Sequence, residues 1–250
     1  MRLLALTALG LVLAGFGSSA PSRIVSKPPS CPFTGTTAGL RNWGCAARGD
    51  VDGDGSPDRV WIGRAPSGRF FLLVRTRAGV VRAPIVSPAF QFAKPSELSV
   101  GFPRVQALRP MNRARGLEPE VLIWRSASNS GLIFYTLRRG RLAPMRIVPA
   151  PPDSPFEWDD GGFAAAYVRL GCVAPHVVGE EGGGIDDRHR WHAFAARYRV
   201  EASRFVREAT YARVYREPPN RYPPEWPHPR LDEFRSCGGV ETDLRGLGSR

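Results

Sequence analysis

The stretch GDVDGDGSPDRVWI at residues 49–62 places four aspartates within nine positions: Asp50, Asp52, Asp54 and Asp58. The whole chain carries a formal net charge of +12, so a cluster of acidic side chains is unexpected in it. Like charges this close together repel one another, and a bound cation is the simplest way to hold them. The stretch therefore predicts a metal-binding loop, which limits how the chain can fold around it.

The spacing of the aspartates fits a hard cation. Calcium takes about six to eight oxygen ligands, and residues at alternate positions converge on one point where glycines let the backbone turn. With Asp50 as position one, aspartates occupy positions one, three, five and nine, and Gly55 occupies the sharp turn at position six. Ser56 falls at position seven, where a backbone carbonyl is the usual ligand. We therefore expect calcium as the cofactor, bound by Asp50, Asp52, Asp54, Ser56 and Asp58.

The residues after the loop predict strands rather than a helix. Residues 59–65, RVWIGRA, and residues 67–86, SGRFFLLVRTRAGVVRAPIV, are rich in β-branched and aromatic residues and indicate strand, turn and strand. Position twelve is Trp61, where the helix-loop-helix calcium motif requires a bidentate glutamate. The loop is therefore expected to lead into a β-sheet.

The pattern Asp-x-Asp-Gly-Asp-Gly-x-x-Asp, running directly into a short apolar strand, resembles the FG-GAP or VCBS repeats of integrin-type β-propellers and of many secreted bacterial proteins. The resemblance implies that Asp50, Asp52, Asp54 and Asp58 ligate calcium at the start of a repeat. It also implies that the repeats form small antiparallel sheets. We therefore expect an all-β fold, a short or incomplete β-propeller-like assembly with one aspartate-rich calcium loop.

A second copy of the repeat follows the first. Residues 118–148 repeat the order of strand, turn and strand seen at residues 56–86. In this alignment Asp58 corresponds to Glu120, and the residues before Glu120 have lost the aspartates. The second copy is therefore expected to keep the sheet and lose the metal. We expect repeats at about 46–94 and 103–148 and a weaker third at 162–210, after a proline-rich separator at 148–160.

The two ends of the chain indicate export and an irregular tail. Residues 1–20 combine one early arginine, an apolar run and small residues, the layout of a cleaved signal peptide. No later segment is apolar enough to cross a membrane. We expect a protein that is secreted or associated with the cell envelope. Segment 21–45 then precedes a repeat domain at 46–215, and a proline-rich tail occupies 216–250.

Export favours disulfides for the four cysteines, Cys31, Cys45, Cys172 and Cys237. Four cysteines allow three pairings, and no Cys-x-x-Cys pair indicates zinc or redox chemistry. We favour Cys31 with Cys45, which closes a short loop, and Cys172 with Cys237, which ties down the tail. Each bridge typically contributes about 2 to 4 kcal/mol.

The remaining composition limits the function. Nearly all the positive charge is arginine spread along the chain rather than gathered in one run, which does not favour a nucleic-acid partner. The sequence contains neither a Gly-x-Ser-x-Gly elbow nor a phosphate-binding glycine loop. We expect a non-enzymatic binding or adhesion module for a protein or an envelope polymer. The alternative is a secreted hydrolase of polysaccharides or phosphoesters, which requires the acids of 157–160 and 180–187 to converge in a cleft.

Overall fold

The computed structural model describes residues 34–88, 102–113, 115–125, 129–151, 154–163, 166–219, 234 and 237–241. Within these residues the regular structure is almost entirely β-strand, which confirms the all-β prediction. In this part of the chain no helix is long and apolar enough to span a bilayer. The predicted signal peptide and most of the proline-rich tail lie outside the described residues.

The first sheet is an antiparallel meander whose strands lie in chain order. Its strands alternate between two faces: Val60 and Ile62 belong to the core, whereas Trp61 lies in a separate apolar cluster on the other face. The sheet begins at Thr36, before residue 46, where the repeat domain was expected to begin. Its members are β1 (Thr36–Thr37), β2 (Leu40–Gly49), β3 (Asp58–Arg64), β4 (Phe70–Thr76) and β5 (Gly79–Pro84).

The second sheet is larger and contains the remaining strands. These are β6 (Arg104–Arg109), β7 (Glu118–Arg125), β8 (Asn129–Arg138), β9 (Arg141–Pro144), β10 (Arg146–Val148), β11 (Glu157–Phe163), β12 (Ala166–Ala174), β13 (Val177–Ile185), β14 (Trp191–Glu201), β15 (Arg204–Tyr215) and β16 (Val240–Glu241). Their order is β10-β15-β14-β13-β12-β11-β8-β7-β6-β16, and β9 pairs with β8 beside this path. The strand pairs are antiparallel except β10 with β15.

The first two predicted repeats have the same order of strands. In each, four strands form a meander, β2 to β5 in the first repeat and β6 to β9 in the second. The propeller-like stack of small sheets is not confirmed, because the strands of the second predicted repeat and of the weaker predicted third one belong to one sheet. The junction is β11, which pairs with β8 on one side and β12 on the other. The predicted separator at 148–160 is thus partly a strand.

Two apolar cores stabilise this arrangement. The first lies between the sheets and contains Val60 and Val74 of the first sheet and Val121 and Ile133 of the second. The second lies on the larger sheet around Trp158, Phe205 and Phe234. Burying a large apolar side chain contributes about 1.5 to 3 kcal/mol. The first core therefore fixes the two repeats against each other and places their connecting loops side by side.

The cysteines agree with the pairing favoured from the sequence where the structure describes them. Cys172 and Cys237 form a disulfide across 65 residues, which attaches the described part of the tail to the second core. Cys45 is also disulfide-bonded. Its expected partner, Cys31, lies outside the described residues.

Candidate metal centre

The aspartate loop, residues 50–57, connects β2 to β3 and is closed by the ladder pair of Gly49 with Asp58. One carboxylate oxygen from each of Asp50, Asp52 and Asp58 lies within 4.8 Å of the other two. These three carboxylates therefore form a group that could hold a metal ion. It is the only such group of three or more acidic, histidine or cysteine ligands among the described residues.

Asp50 organises the backbone of the loop. Its Oδ1 accepts a hydrogen bond from the backbone N–H of Gly53 (2.7 Å), and its Oδ2 accepts one from Gly55 (2.9 Å). Both glycines have positive φ angles, 79° and 86°, a region that other residues rarely adopt. The glycines predicted to turn the loop therefore do so, and they wrap its backbone around the Asp50 carboxylate.

Asp58 closes the group from the first position of β3. Its side chain is 3% exposed, and its Oδ2 accepts hydrogen bonds from the backbone N–H groups of Val51 (2.8 Å) and Asp52 (3.2 Å). Burial raises the pKa of the Asp58 carboxyl, and the neighbouring carboxylates of Asp52 and Asp50 raise it further. A cation among these carboxylates would offset that repulsion.

Asp54 lies outside the group of three carboxylates and is hydrogen-bonded to Ser56. Oδ1 of Asp54 accepts a hydrogen bond from the backbone N–H of Ser56 (2.7 Å), while Oδ2 lies 3.8 Å from Nε of Arg77. The Asp54 side chain is not part of the group formed by the other three aspartates. The structure thus brings together three of the four predicted carboxylate ligands, and Asp54 faces an arginine at the surface.

The donor set of the loop indicates which cation it suits. The three grouped ligands are carboxylates, and oxygen ligands favour hard cations such as calcium or magnesium over zinc or copper. Calcium accepts irregular coordination more readily than magnesium, which requires near-octahedral geometry.

A second loop of the same length occupies the equivalent place in the second repeat. This counterpart loop, residues 110–117, connects β6 to β7 and is closed by the ladder pair of Arg109 with Glu118. Oε2 of Glu118 accepts hydrogen bonds from the backbone N–H groups of Met111 (3.0 Å) and Asn112 (3.4 Å). Asp58 accepts the same pair of bonds from residues seven and six positions before it. Glu118 is therefore the equivalent of Asp58.

The sequence alignment that matched Asp58 with Glu120 is thus wrong by two residues. Glu120 is fully buried and pairs with Nε of Arg109 at 2.7 Å, and it also accepts a hydrogen bond from Gln106 (3.0 Å). Because a shift of two residues preserves the alternation of a strand, the hydrophobic pattern alone could not separate the two glutamates.

An amide group takes the place of further carboxylates in the counterpart loop. Nδ2 of Asn112 donates to Oε1 of Glu118 and to the backbone carbonyl of Ala202 (3.2 Å). Burial raises the pKa of the Glu118 carboxyl to about 8, although its backbone hydrogen bonds act in the opposite direction. Glu118 therefore takes up a proton at a higher pH than an ordinary glutamate does.

The two loops touch. The backbone N–H of Leu117 in the counterpart loop donates to the carbonyl of Asp50 in the aspartate loop (2.8 Å). A Cβ added to Gly116 would lie 2.2 Å from the carbonyl oxygen of Val51, which is shorter than any real contact. Gly116 is therefore required for the close approach. The counterpart loop supports the backbone on which Asp50 and Asp52 are placed.

Sequence reasoning did not identify Glu118, Asn112 or Gly116. A signal for them is present, because each carboxylate follows the end of its preceding strand by nine residues, from Gly49 to Asp58 and from Arg109 to Glu118. That spacing is visible only after the strand ends are known. Strand ends are the features that sequence patterns locate least well.

Two acidic residues of the 157–160 group lie in a cleft. Asp159 and Asp160 line an open cleft of about 560 Å³ on the second sheet together with Trp124, His192 and Phe194. These residues line the same cleft because β7, β11 and β14 belong to one sheet. The hydrolase alternative requires the acids of 157–160 and 180–187 to converge in a cleft, and this cleft is the candidate place.

Two of the other acids, Glu180 and Asp186, make contacts of their own. Glu180 accepts a hydrogen bond from the Tyr198 hydroxyl (2.7 Å), and burial followed by the nearby Asp159 charge raises its pKa. Oδ2 of Asp186 lies 2.8 Å from Nη2 of Arg190 and 2.7 Å from Nε2 of His192. The backbone N–H of Arg190 and the His192 ring hold the pKa of Asp186 well below its usual range. The acids therefore converge only in part.

Comparison of this chain with protein-family models, with curated proteins and with solved structures finds no match. The site must therefore be interpreted from its own residues.

Proposed function

We propose that this protein is an exported, non-enzymatic calcium-binding β-repeat protein that acts as a binding or adhesion module at the cell envelope. The observation that supports it is the group of Asp50, Asp52 and Asp58 carboxylates within 4.8 Å of one another. Export rests on the signal-like residues 1–20, and the kinship with FG-GAP or VCBS repeats rests on the aspartate spacing. A protein or an envelope polymer is the proposed partner.

In this proposal the cation has a structural role. Without it, the carboxylates of Asp50, Asp52 and Asp58 repel one another at the start of β3. With it, the loop is fixed against β3 and against the counterpart loop, whose Leu117 already holds the Asp50 carbonyl. Calcium would thereby stabilise the contact between the two repeats.

Melting curves in calcium and in chelator test this role. A ligand present at about 100 times its dissociation constant stabilises the folded state by about 2.7 kcal/mol, so calcium should raise the melting temperature of the wild-type protein. Asp52→Ala should remove this response. Asp54→Ala is the matched control, because Asp54 lies outside the grouped carboxylates, and it should retain most of the response. An equal response to chelator in the wild type and Asp52→Ala would contradict the proposal.

A second candidate function is the hydrolysis of a polysaccharide or phosphoester. It is favoured by one observation, the placement of Asp159 and Asp160 in a cleft with an imidazole and two aromatic rings. Paired carboxylates can act as general acid and base at such a place. If the protein releases reducing ends or phosphate from a panel of these polymers, Asp159→Asn and Asp160→Asn should abolish the release and leave the melting temperature unchanged. A wild-type protein that releases neither would eliminate this candidate.

A further inference from the structure

The open cleft on the second sheet has a floor of glycines. Phe194 and His192 of β14 line it on one side, and Val168 of β12 lines it on the other. The strand between them, β13, places Gly182 opposite both Phe194 and Val168, and Gly184 opposite His192. Glycines within a strand leave the space above the backbone open, and they often mark a place where a ligand comes close. The cleft therefore exists because β13 carries no side chains at these positions.

The Phe194 ring packs against this floor. A Cβ added to Gly182 would lie 2.5 Å from two atoms of the ring and 2.6 Å from the carbonyl oxygen of Tyr167, closer than real Cβ contacts. On β14 Phe194 alternates with Ala193 and Ala195, which belong to a cluster on the opposite face of the sheet. The half-buried ring is therefore held on the cleft side by the strand beneath it.

His192 is anchored by a carboxylate outside the cleft. Its Nε2 lies 2.7 Å from Oδ2 of Asp186. The Asp186 side chain also accepts hydrogen bonds from the backbone N–H groups of Arg188 (3.0 Å) and Arg190 (2.8 Å) and from the Arg190 guanidinium. The imidazole is thus fixed through one nitrogen. Because the side chain is 48% exposed, its other nitrogen, Nδ1, can contact a ligand.

Trp124 of β7 is oriented in a similar way. Its Nε1 donates a hydrogen bond to Oε1 of Glu157 (2.7 Å), and it lies against Gly131 of β8, where an added Cβ would be 2.2 Å from the same nitrogen. Two aromatic rings of the cleft therefore rest on glycines that leave room for them. Side chains that are ordered before binding lower the entropic cost of holding a ligand.

The charge of the cleft limits the class of ligand. Asp159 and Asp160 are among the described residues that line it, whereas lysine and arginine are absent from that set. Two carboxylates repel phosphate, sulfate and carboxylate groups, although the whole chain has a net charge of +12. Both aspartates make interactions within the protein as well, but a carboxylate has about four sites for hydrogen bonds and can also accept from hydroxyl groups.

We propose that this cleft binds a neutral saccharide chain, with a sugar ring against Phe194 and sugar hydroxyls bonded to Asp160 and His192. A sugar has an apolar C–H face and a rim of hydroxyl groups, so it requires flat rings together with hydrogen-bonding groups. The volume of about 560 Å³ lies within the range of ligand sites, about 300 to 1,000 Å³. This inference rests on the proposed function as a binding module and names the class of its envelope polymer. It requires neither a cation in the aspartate loop nor cleavage of the chain.

The test is calorimetric titration of the full oxidised chain with three neutral hexasaccharides, in calcium and separately in chelator. The probes are hexamers of β-1,4-linked glucose, β-1,3-linked glucose and β-1,4-linked N-acetylglucosamine, and hexagalacturonate is the anionic comparison. At least one neutral hexamer should bind, with an affinity that changes little as salt rises, since no charge on the ligand is screened. Hexagalacturonate should bind at least about tenfold more weakly.

Two variants test the cleft, and a third is the matched control. Phe194→Leu keeps apolar bulk but removes the flat ring, and His192→Ala removes the anchored imidazole from an exposed position. Each should lower the affinity for the neutral hexamer about tenfold. Tyr215→Leu changes another half-buried aromatic residue, which packs with the cluster on the opposite face of the same sheet, and should stay within about twofold of the wild type.

Several outcomes would overturn the proposal. Failure to bind all three neutral hexamers would reject it, as would equal or tighter binding of hexagalacturonate. Equal losses of affinity in Phe194→Leu and Tyr215→Leu would show that the cleft is not the site. Melting curves establish that each variant is folded, and if Phe194→Leu is not, unchanged affinity in His192→Ala would still contradict the assignment. A chain that calcium stabilises but that binds no hexamer would reject the saccharide and leave the calcium proposal standing.

Discussion

The aspartate loop and the counterpart loop have the same length, and each is followed by a buried carboxylate, Asp58 or Glu118, but different side chains surround that carboxylate. In both, the carboxylate that begins the next strand accepts two backbone hydrogen bonds from residues seven and six positions before it. In the aspartate loop two further carboxylates approach Asp58. In the counterpart loop Glu118 receives the amide of Asn112 instead.

The difference lies in what surrounds a carboxylate held by the same two backbone hydrogen bonds. A buried carboxylate can be stabilised by a cation, or it can take up a proton and accept a neutral donor. The first solution would make a loop responsive to metal, and the second would make it responsive to pH. The two loops are in contact through Leu117 and Gly116, so each should influence the stability of the other.

The largest effects should come from removing the shared carboxylate. Asp58→Ala and Glu118→Ala each leave two backbone N–H groups without their acceptor, which should cost about 2 to 5 kcal/mol of unfolding free energy in chelator. Denaturant unfolding of the two variants measures this cost. Calcium should still stabilise Glu118→Ala, although less strongly if that loop has shifted, and should not stabilise Asp58→Ala. If calcium stabilises both variants equally, the loops are not functionally different.

Gly116→Ala tests whether the counterpart loop supports the aspartate loop. The added methyl group would clash with the Val51 carbonyl, and overpacking of this kind typically costs about 1 to 3 kcal/mol. Because Val51 lies between Asp50 and Asp52, we expect weaker calcium binding as well as lower stability. Thermal melting and calorimetric titration of the same sample separate these effects. A stability loss with unchanged calcium affinity would show that the loops are independent.

The pH dependence of stability should sharpen the contrast between a protonated and a metal-binding carboxylate. The folded-state pKa of Glu118 is about 8, against an ordinary value of 4.5, so the folded protein holds more protons between these values. Its contribution to stability is complete below about pH 4.5 and is lost as the pH rises toward 8. The slope is at most about 1.4 kcal/mol per pH unit.

Glu118→Gln replaces the titrating carboxyl with a neutral group of the same shape. The difference in unfolding free energy between the wild type and Glu118→Gln should therefore depend on pH across this interval, as measured by denaturant unfolding in chelator. A difference that stays constant from pH 5 to pH 8 would mean that Glu118 is ionised throughout.

The smallest effect is expected at Asp54. Its contact with Arg77 is a surface pair at 3.8 Å, and such pairs contribute under about 1 kcal/mol. Asp54→Asn should therefore change the melting temperature in chelator very little. A large loss of calcium affinity in this variant would show that the loop rearranges on binding to recruit Asp54.

The aspartate loop itself could be predicted from the sequence because its information is local. Aspartates at alternate positions, two glycines and a following apolar strand define it without reference to any distant residue. The glycine conformations and the strand that begins at Asp58 follow the prediction. That Asp54 lies beside Arg77 could not be predicted, because Arg77 reaches the loop from the turn after β4.

The remaining features depend on which strands become neighbours. The alternation of apolar residues fixes which face a side chain occupies, but it does not distinguish Glu118 from Glu120. Glu157–Phe163 forms a strand by pairing with the edge of β8, which is distant in the chain. Gly116 is required only because two loops come into contact. Each of these is a long-range relation that a local pattern does not contain.

The most direct test of the contrast between the loops is calorimetric titration of the oxidised protein with calcium, for the wild type, Asp52→Asn and Asn112→Ala. We expect about one ion per chain in the wild type and in Asn112→Ala, and none in Asp52→Asn. Asn112→Ala removes the amide of the counterpart loop and leaves the grouped aspartates in place. No binding by the wild type, or binding that survives Asp52→Asn, would contradict the assignment of the aspartate loop as the metal centre.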